Sequence, residues 1–182
     1  IVINDGSKDK TSEIVKKYAN VDSRIEFIDK RTNEGVSSAR NDALKMARGK
    51  FCFFFDCDDT FETQIVEKCV SKVKADTDTV CYNYASVRRD GNVSKHEFSY
   101  RKCVYKKEEI LEQILPNSFG TSIADLKRYL SGKCGMRQGK ELNGPWRMMY
   151  SLEIIRKENI FFRRDLHVGE DTIFTNKYLA VA

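Results

Sequence analysis

Asp56, Asp58 and Asp59 fall within four positions of the stretch FFFDCDDTF, directly behind an apolar run. Carboxylates this close repel one another unless a cation or a partner relieves them. Two chemistries use such a cluster. In one, a D-x-D turn presents carboxylates to a hard divalent ion, Mn²⁺ or Mg²⁺, that also bridges phosphate oxygens. In the other, Asp56 attacks phosphorus and Asp58 serves as acid and base. The plainer alternative is a loop with a helix cap, which three carboxylates in four positions weaken. The nonapeptide alone does not decide among them.

The elements that must carry the cluster follow from periodicity. Residues 1–3 read as the end of a buried strand, and NDGSKD as a polar turn in which Asp9 can cap a helix over roughly Lys10 to Tyr18, with Ile14, Val15 and Tyr18 on one face. Arg24 to Asp29 reads as a short strand. Val36 to Ala47 reads as a helix with Val36, Ala39, Ala43, Leu44 and Ala47 inward and Gly49 as its stop. Phe51 to Phe55 is apolar throughout, the pattern of a strand buried on both faces. Glu62 to Ala75 reads as a helix with Ile65, Val66, Cys69, Val70 and Val73 inward. Strand and helix thus alternate three times, an α/β pattern with a mostly parallel sheet. Ligands in such sheets sit at the carboxyl ends of strands, where both NDGS and DCDD fall.

The later sequence differs. Two strand-like runs flank Asp90-Gly91, a hairpin signal. KKEEILEQILP reads as a helix closed by Pro116, and Ala124 to Leu130 as another. Residues 117–144 are otherwise polar and irregular. Pro145 is expected to open a helix, IFFRR to form a strand, and GEDTIFTNKYLA to form a helix with Glu170 and Asp171 in its first turn.

Composition sets the class. The chain has 182 residues, 41% of them hydrophobic and 32% charged, with a net charge of +5 spread along its length. That describes a globular domain with a real core and an attraction for anions, and no nucleic-acid partner is expected. No apolar run approaches the ~20 residues of a membrane span. The cysteines Cys52, Cys57, Cys69, Cys81, Cys103 and Cys134 show no C-x-x-C spacing and read as reduced thiols of a cytosolic protein. Because the chain opens inside a strand, it is expected to be a piece of a longer protein.

Three segments occur in order: INDGSKDKT (Ile3 to Thr11), NEGVSSARNDAL (Asn33 to Leu44) and GKFCFFFDCDDTF. Together they closely resemble the inverting family 2 glycosyltransferases of the GT-A fold, which read hhhxDDGSxDxT, NxGxxxARNxG and GxYhxFLDxDD. VGEDTIF resembles that family's ED motif. PWRMMYSLEIIRKENIFF resembles its vWnKLYrreli…nIrF stretch, with Arg147 in place of the usual lysine. The match is good over 1–75, moderate over about 145–179 and loose over 76–144. DCDDT also fits the DxDxT signature of haloacid-dehalogenase-like phosphatases, in which Asp56 is the nucleophile, but that family gives no reason for the two upstream segments. A non-catalytic nucleotide-binding domain is the third alternative.

The resemblance implies a Rossmann-like three-layer α/β sandwich with a mostly parallel central sheet. Residues 1–182 would be a single GT-A domain lacking its first strand, with 1–75 the nucleotide-binding half and 76–182 the acceptor-side half. It implies an inverting hexosyltransferase that uses a nucleotide diphosphate sugar, a UDP-sugar, with Mn²⁺ or Mg²⁺, on a glycan or lipid-linked acceptor. The implied setting is bacterial polysaccharide or glycolipid synthesis in the cytoplasm, with peripheral association at the inner face of the plasma membrane. Asp5 would accept hydrogen bonds from the base and Arg40 would lie against the nucleotide. Asp58 would ligate the metal, Asp56 would touch ribose or bound water, and Asp59 is the third metal candidate. Asp171 would be the general base, positioned by Glu170. Trp146 is either a sugar platform or core packing, and packing is preferred. Asn33 and Gly35 read first as a structural turn, and His167 and His96 as incidental.

Overall fold

The computed structural model describes residues 1–98, 100, 102–118, 130–131, 142 and 144–182. The expected helix at Ala124 to Leu130 and Cys134 lie wholly or mostly outside the described residues. The chain divides into two compact units, Ile1–Gly49 with Phe161–Glu170, and Lys50–Ile160 with Asp171–Ala182.

In the first unit, strand β1 (Val2–Asn4) pairs in parallel with β2 (Phe27–Asp29), Val2 opposite Phe27 and Asn4 opposite Asp29. Helix α1 (Thr11–Val21) makes the crossover that parallel strands require. Asp9 accepts the Thr11 amide at 2.9 Å, satisfying one of the orphan donors at the helix start. The helix runs past Tyr18, and of its apolar residues Val15 is half-buried while Ile14, Tyr18 and Val21 are exposed. Helix α2 (Val36–Met46) also differs from its expected face. Ser37, Ser38, Asn41 and Leu44 are buried, whereas Val36 is exposed. The helix is turned because Asn41 exchanges both of its amide hydrogen bonds with the Phe162 backbone, at 2.9 Å each. That exchange also explains why IFFRR forms no strand: Phe162 spends its backbone groups on a side chain.

In the second unit the sheet order is β3 (Phe51–Phe53), β7 (Met148–Ser151), β4 (Thr79–Cys81), antiparallel at both contacts. The segment expected to be helical from Pro145 is instead one 3₁₀ turn (Pro145–Arg147) and the central strand β7. Met148, Met149 and Tyr150 are completely buried, and a strand flanked on both edges needs apolar residues on both faces. Ser151 then caps helix α6 (Leu152–Lys157) through the Ile154 amide. The Tyr178 hydroxyl accepts the Ser151 amide at 2.8 Å and donates to the Asp78 carbonyl at 2.5 Å.

Strand β3 stops at Phe53. Only Phe54 of the phenylalanine run is buried, and Phe55 is exposed, so the expected five-residue, doubly buried strand is not formed. Helix α3 (Ile65–Val70) is shorter than expected and buries only Cys69. The Asp90-Gly91 hairpin is present, joining β5 (Tyr84–Val87) to β6 (Val93–His96), with Gly91 at φ +83°. Pro116 does not end its helix. Helix α4 (Lys107–Glu109) passes through a π-helical turn (Ile110–Ile114) into α5 (Leu115–Ser118), and the wider turn accommodates the proline's missing donor. Helix α7 (Glu170–Leu179) forms as expected.

The α/β class holds. The described strands form one parallel and three antiparallel pairs, so the sheets are partly rather than mostly parallel. The cause is β7, a late segment inserted antiparallel between two earlier strands. Among the described residues no helix is long and apolar enough to cross a membrane. Cys52, Cys57, Cys69, Cys81 and Cys103 are unpaired thiols, and burial pushes Cys52 up to about 12.

Candidate functional site

The first unit holds Asp5, Arg40 and Glu170. Strand β1 delivers Asp5 into a turn whose next residue, Gly6, has φ +77°. A Cβ on Gly6 would lie 2.6 Å from the Thr32 carbonyl carbon and 2.7 Å from the Asn33 nitrogen, so the two loops meet backbone to backbone. The Asp5 carboxylate accepts the Gly35 amide at 2.8 Å and the Glu34 amide at 3.1 and 3.2 Å. Asn33 Oδ1 also accepts the Gly35 amide, at 3.0 Å. Asp5 therefore closes the loop that starts α2, in place of a side-chain cap from Gly35.

A half-buried cation stands behind this loop. Lys30 Nζ lies 2.8 Å from Asp42, 3.1 Å from Glu34 and 3.5 Å from Asp5, and donates to Ser38 Oγ at 3.0 Å. Burial alone would lower the Lys30 pKa, but its hydrogen bonds to Asp42 and Glu34 raise it overall. Lys30, followed by Lys45, holds the Asp42 carboxyl below its ordinary range. Ser38, followed by Lys30, does the same for Glu34. Arg40, further along α2, lies with its guanidinium carbon 5.3 Å from the centre of the Phe162 ring. Glu170 is half-buried at the start of α7, and His167 is exposed.

The second unit holds Asp56, Asp58, Asp59 and Asp171. Buried Phe54 anchors the strand end, packing edge-on against Tyr150 at 5.7 Å and Phe174 at 5.5 Å. Phe55 stacks on Phe61 at 4.2 Å and 16°, which pinches off the intervening turn. Within it the Asp59 amide donates to the Asp56 carbonyl at 3.2 Å. Asp56 is half-buried, and Asp58 and Asp59 are exposed. Among the described residues no group of three or more His, Cys, Asp or Glu side chains is placed to hold a metal ion by itself. The turn is an open carboxylate set. That suits a hard divalent ion held by one or two carboxylates and completed by phosphate oxygens and water.

Asp171 sits in the first turn of α7, one turn ahead of Phe174. The Phe54–Phe174 contact therefore ties the helix of Asp171 to the strand that leads into Asp56. Trp146 is half-buried and packs edge-on against Tyr84 at 4.7 Å. The adjoining Arg147 guanidinium is buried 4.0 Å from the centre of the Phe98 ring and 4.6 Å from that of Tyr84, a stacked geometry that suits a planar guanidinium better than an ammonium. His96 stacks on Tyr84 at 4.4 Å with its Nε2 2.8 Å from Ser86 Oγ.

Lys30, Asn41 and Asp42 were not legible as site residues. Lys30 carries no motif of its own, and its partners Asp5 and Asp42 come from separate segments that only the fold brings to it.

The model of the family described as glycosyl transferase family 2 matches residues 1–130. The putative glycosyltransferase EpsH of Bacillus subtilis is 37% identical over 178 residues, covering 96% of this chain and 45% of its own. A chondroitin synthase of Escherichia coli is 27% identical over 120 residues, covering 65% of this chain and 17% of its own. Among solved structures, S. aureus TarS 1–349 in complex with UDP-GlcNAc superimposes with a TM-score of 0.67 at 22% identity, covering 98% of this chain and 44% of that one. The chain thus spans less than half the length of these relatives.

Proposed function

Because the chain belongs to glycosyl transferase family 2 and has that family's GT-A-type α/β fold, we propose that it transfers a sugar from a nucleotide diphosphate sugar to a glycan or lipid-linked acceptor, with inversion. The observation that carries this reading is the family match over residues 1–130, which takes in Asp5, Arg40 and the Asp56–Asp59 turn in one continuous stretch. A UDP-sugar is favoured because the TarS neighbour was solved with UDP-GlcNAc. The relationship to a chondroitin synthase of Escherichia coli supports a bacterial polysaccharide product. The proposed setting is the cytoplasm, at the inner face of the membrane.

In this reading residues 1–75 form the nucleotide-binding half and 76–182 the acceptor-side half. Asp5 accepts an N–H of the base, and Arg40 supplies fixed planar donors to the nucleotide. Asp58, with Asp56 and Asp59 as the other candidates, would hold a divalent ion, Mn²⁺ or Mg²⁺. When bound, such an ion would supply positive charge to offset the charge of the leaving diphosphate. Asp171, positioned by Glu170, takes the proton from the acceptor hydroxyl. That oxygen forms a bond to the anomeric carbon as the bond to the diphosphate oxygen breaks on the opposite face, and the nucleoside diphosphate departs.

UDP with Mn²⁺ is expected to raise the melting temperature of the full-length protein, and Asp58→Asn to abolish the rise. Asp171→Ala is expected to keep UDP binding and lose transfer. The absence of a shift with every nucleoside diphosphate would sink the reading. Turnover by Asp171→Ala at the wild-type rate would remove the base assignment.

A further inference from the structure

Lys30 has no part in the roles above, yet it is the most enclosed cation of the loop network. Its side chain is only 10% exposed, and carboxylates of Asp5, Glu34 and Asp42 stand within 3.5 Å of its Nζ. Its backbone amide donates to the carbonyl of Asn4, the residue before Asp5, at 2.9 Å. Its neighbour Asp29, on the opposite side of the extended chain, turns to Asn4, Ser12 and Lys16. One dipeptide therefore braces both sides of β1's end. With the ammonium removed, Asp5, Glu34 and Asp42 would keep like charges at close range without their shared cation, which favours opening of the turn, since Lys45 reaches only Asp42, at 3.0 Å and from an exposed position. Arg164 also reaches Glu34, at 3.8 Å, but from an exposed position that gives it little hold.

We propose that Lys30 is a positioning residue for the Asp5 end of the nucleotide site: it clamps the turn at Asn33–Gly35 to α2 and so fixes the carboxylate that meets the base. This rests on the nucleotide-sugar reading. The clamp acts on the base end only, so it governs nucleotide affinity and leaves both the diphosphate end and the chemical step unchanged.

The test compares UDP and inorganic pyrophosphate binding, each with Mn²⁺, by calorimetry on the full-length protein and its Lys30→Met and Lys30→Arg variants. Lys30→Met is expected to weaken UDP binding about tenfold, the worth of one charge-assisted hydrogen bond. Pyrophosphate affinity should stay within about twofold, and Lys30→Arg should restore most of the UDP affinity. With substrate, KM for the donor should rise and kcat should hold. Equal losses for UDP and pyrophosphate, or none for UDP, overturn the proposal. Should Lys30→Met not fold, Asp42→Asn keeps the ammonium and removes its nearest partner. A partial loss of UDP affinity in that variant supports the clamp, and wild-type affinity overturns it. A wild-type protein that binds pyrophosphate but no nucleoside diphosphate overturns the nucleotide reading and the clamp together. UDP binding that is indifferent to Lys30 overturns the clamp alone.

Discussion

The Asp5 carboxylate accepts the Gly35 amide at 2.8 Å across 30 positions of sequence. The bond requires the loop to present that amide, and it does so with Gly35 at φ +90° and ψ 156°. An L-residue reaches this region only with strain of about 1–3 kcal/mol. Nothing lies within 4 Å of a Cβ built on Gly35, so the cost of Gly35→Ala is conformational and not steric. Gly35→Ala is expected to destabilise by about 1–3 kcal/mol. Gly6→Ala should cost more, since it adds a clash with the Thr32–Asn33 backbone to a positive φ. Urea unfolding of the two variants checks both the size and the order, and a reversed order would mean that the loops do not meet as described.

Asn41 offers a second measurement. Its side chain both donates to the Phe162 carbonyl and accepts the Phe162 amide, and both residues are buried. Asn41→Ala removes both of these buried hydrogen bonds to the Phe162 backbone, at about 1–3 kcal/mol each. Asn41→Asp restores the acceptor but not the donor, and sets a carboxylate against a carbonyl. It should rescue little. A loss below about 1 kcal/mol for Asn41→Ala, in equilibrium unfolding, would show that water replaces the amide.

Acid sensitivity should trace to Asp29. Lys16, then Ser12 and Asn4, hold its carboxyl down from 3.8 to about 2. A folded pKa below the unfolded one contributes stability that is complete above 3.8 and is lost as the pH falls through about 2. Asp29→Asn is therefore expected to flatten the decline in melting temperature across that window and to leave neutral behaviour less stable than wild type. An unchanged acid limb in the variant would assign the decline to other carboxylates.

The alternation of strands and helices was legible because each β1–α1–β2 element carries its period within a few residues. The Asp90-Gly91 hairpin and helix α7 were legible for the same reason. What failed was anything decided at long range. MMYS has no strand period because β7 is covered on both faces, and its apolar run reads equally as a helix. Helix α2 shows alanines and Val36 that suggest one face, but a single buried asparagine with a partner at Phe162 turns it to another. Pro116 looked like a helix stop, yet one π turn absorbed it. In the candidate site the carboxylates announced themselves by type and spacing. Lys30 did not, because an isolated lysine in a polar loop gives no sign that Asp5, from 25 positions earlier, and Glu34 and Asp42, from the helix segment ahead, converge on it.

Asn41 and Phe162 lie 121 positions apart, and each unit includes a segment from beyond residue 160. At about 5–20 residues per second of synthesis, α2 waits roughly 6 to 24 seconds for the backbone that satisfies it. Neither unit can close while the ribosome is still in the middle of the chain. Residues 1–49 stay hydrated and exposed to chaperones and proteases until residues 161–170 are made. A premature stop before Phe162 would therefore be felt more than a hundred positions upstream, leaving the helix behind the Asp5 loops without the backbone that satisfies Asn41.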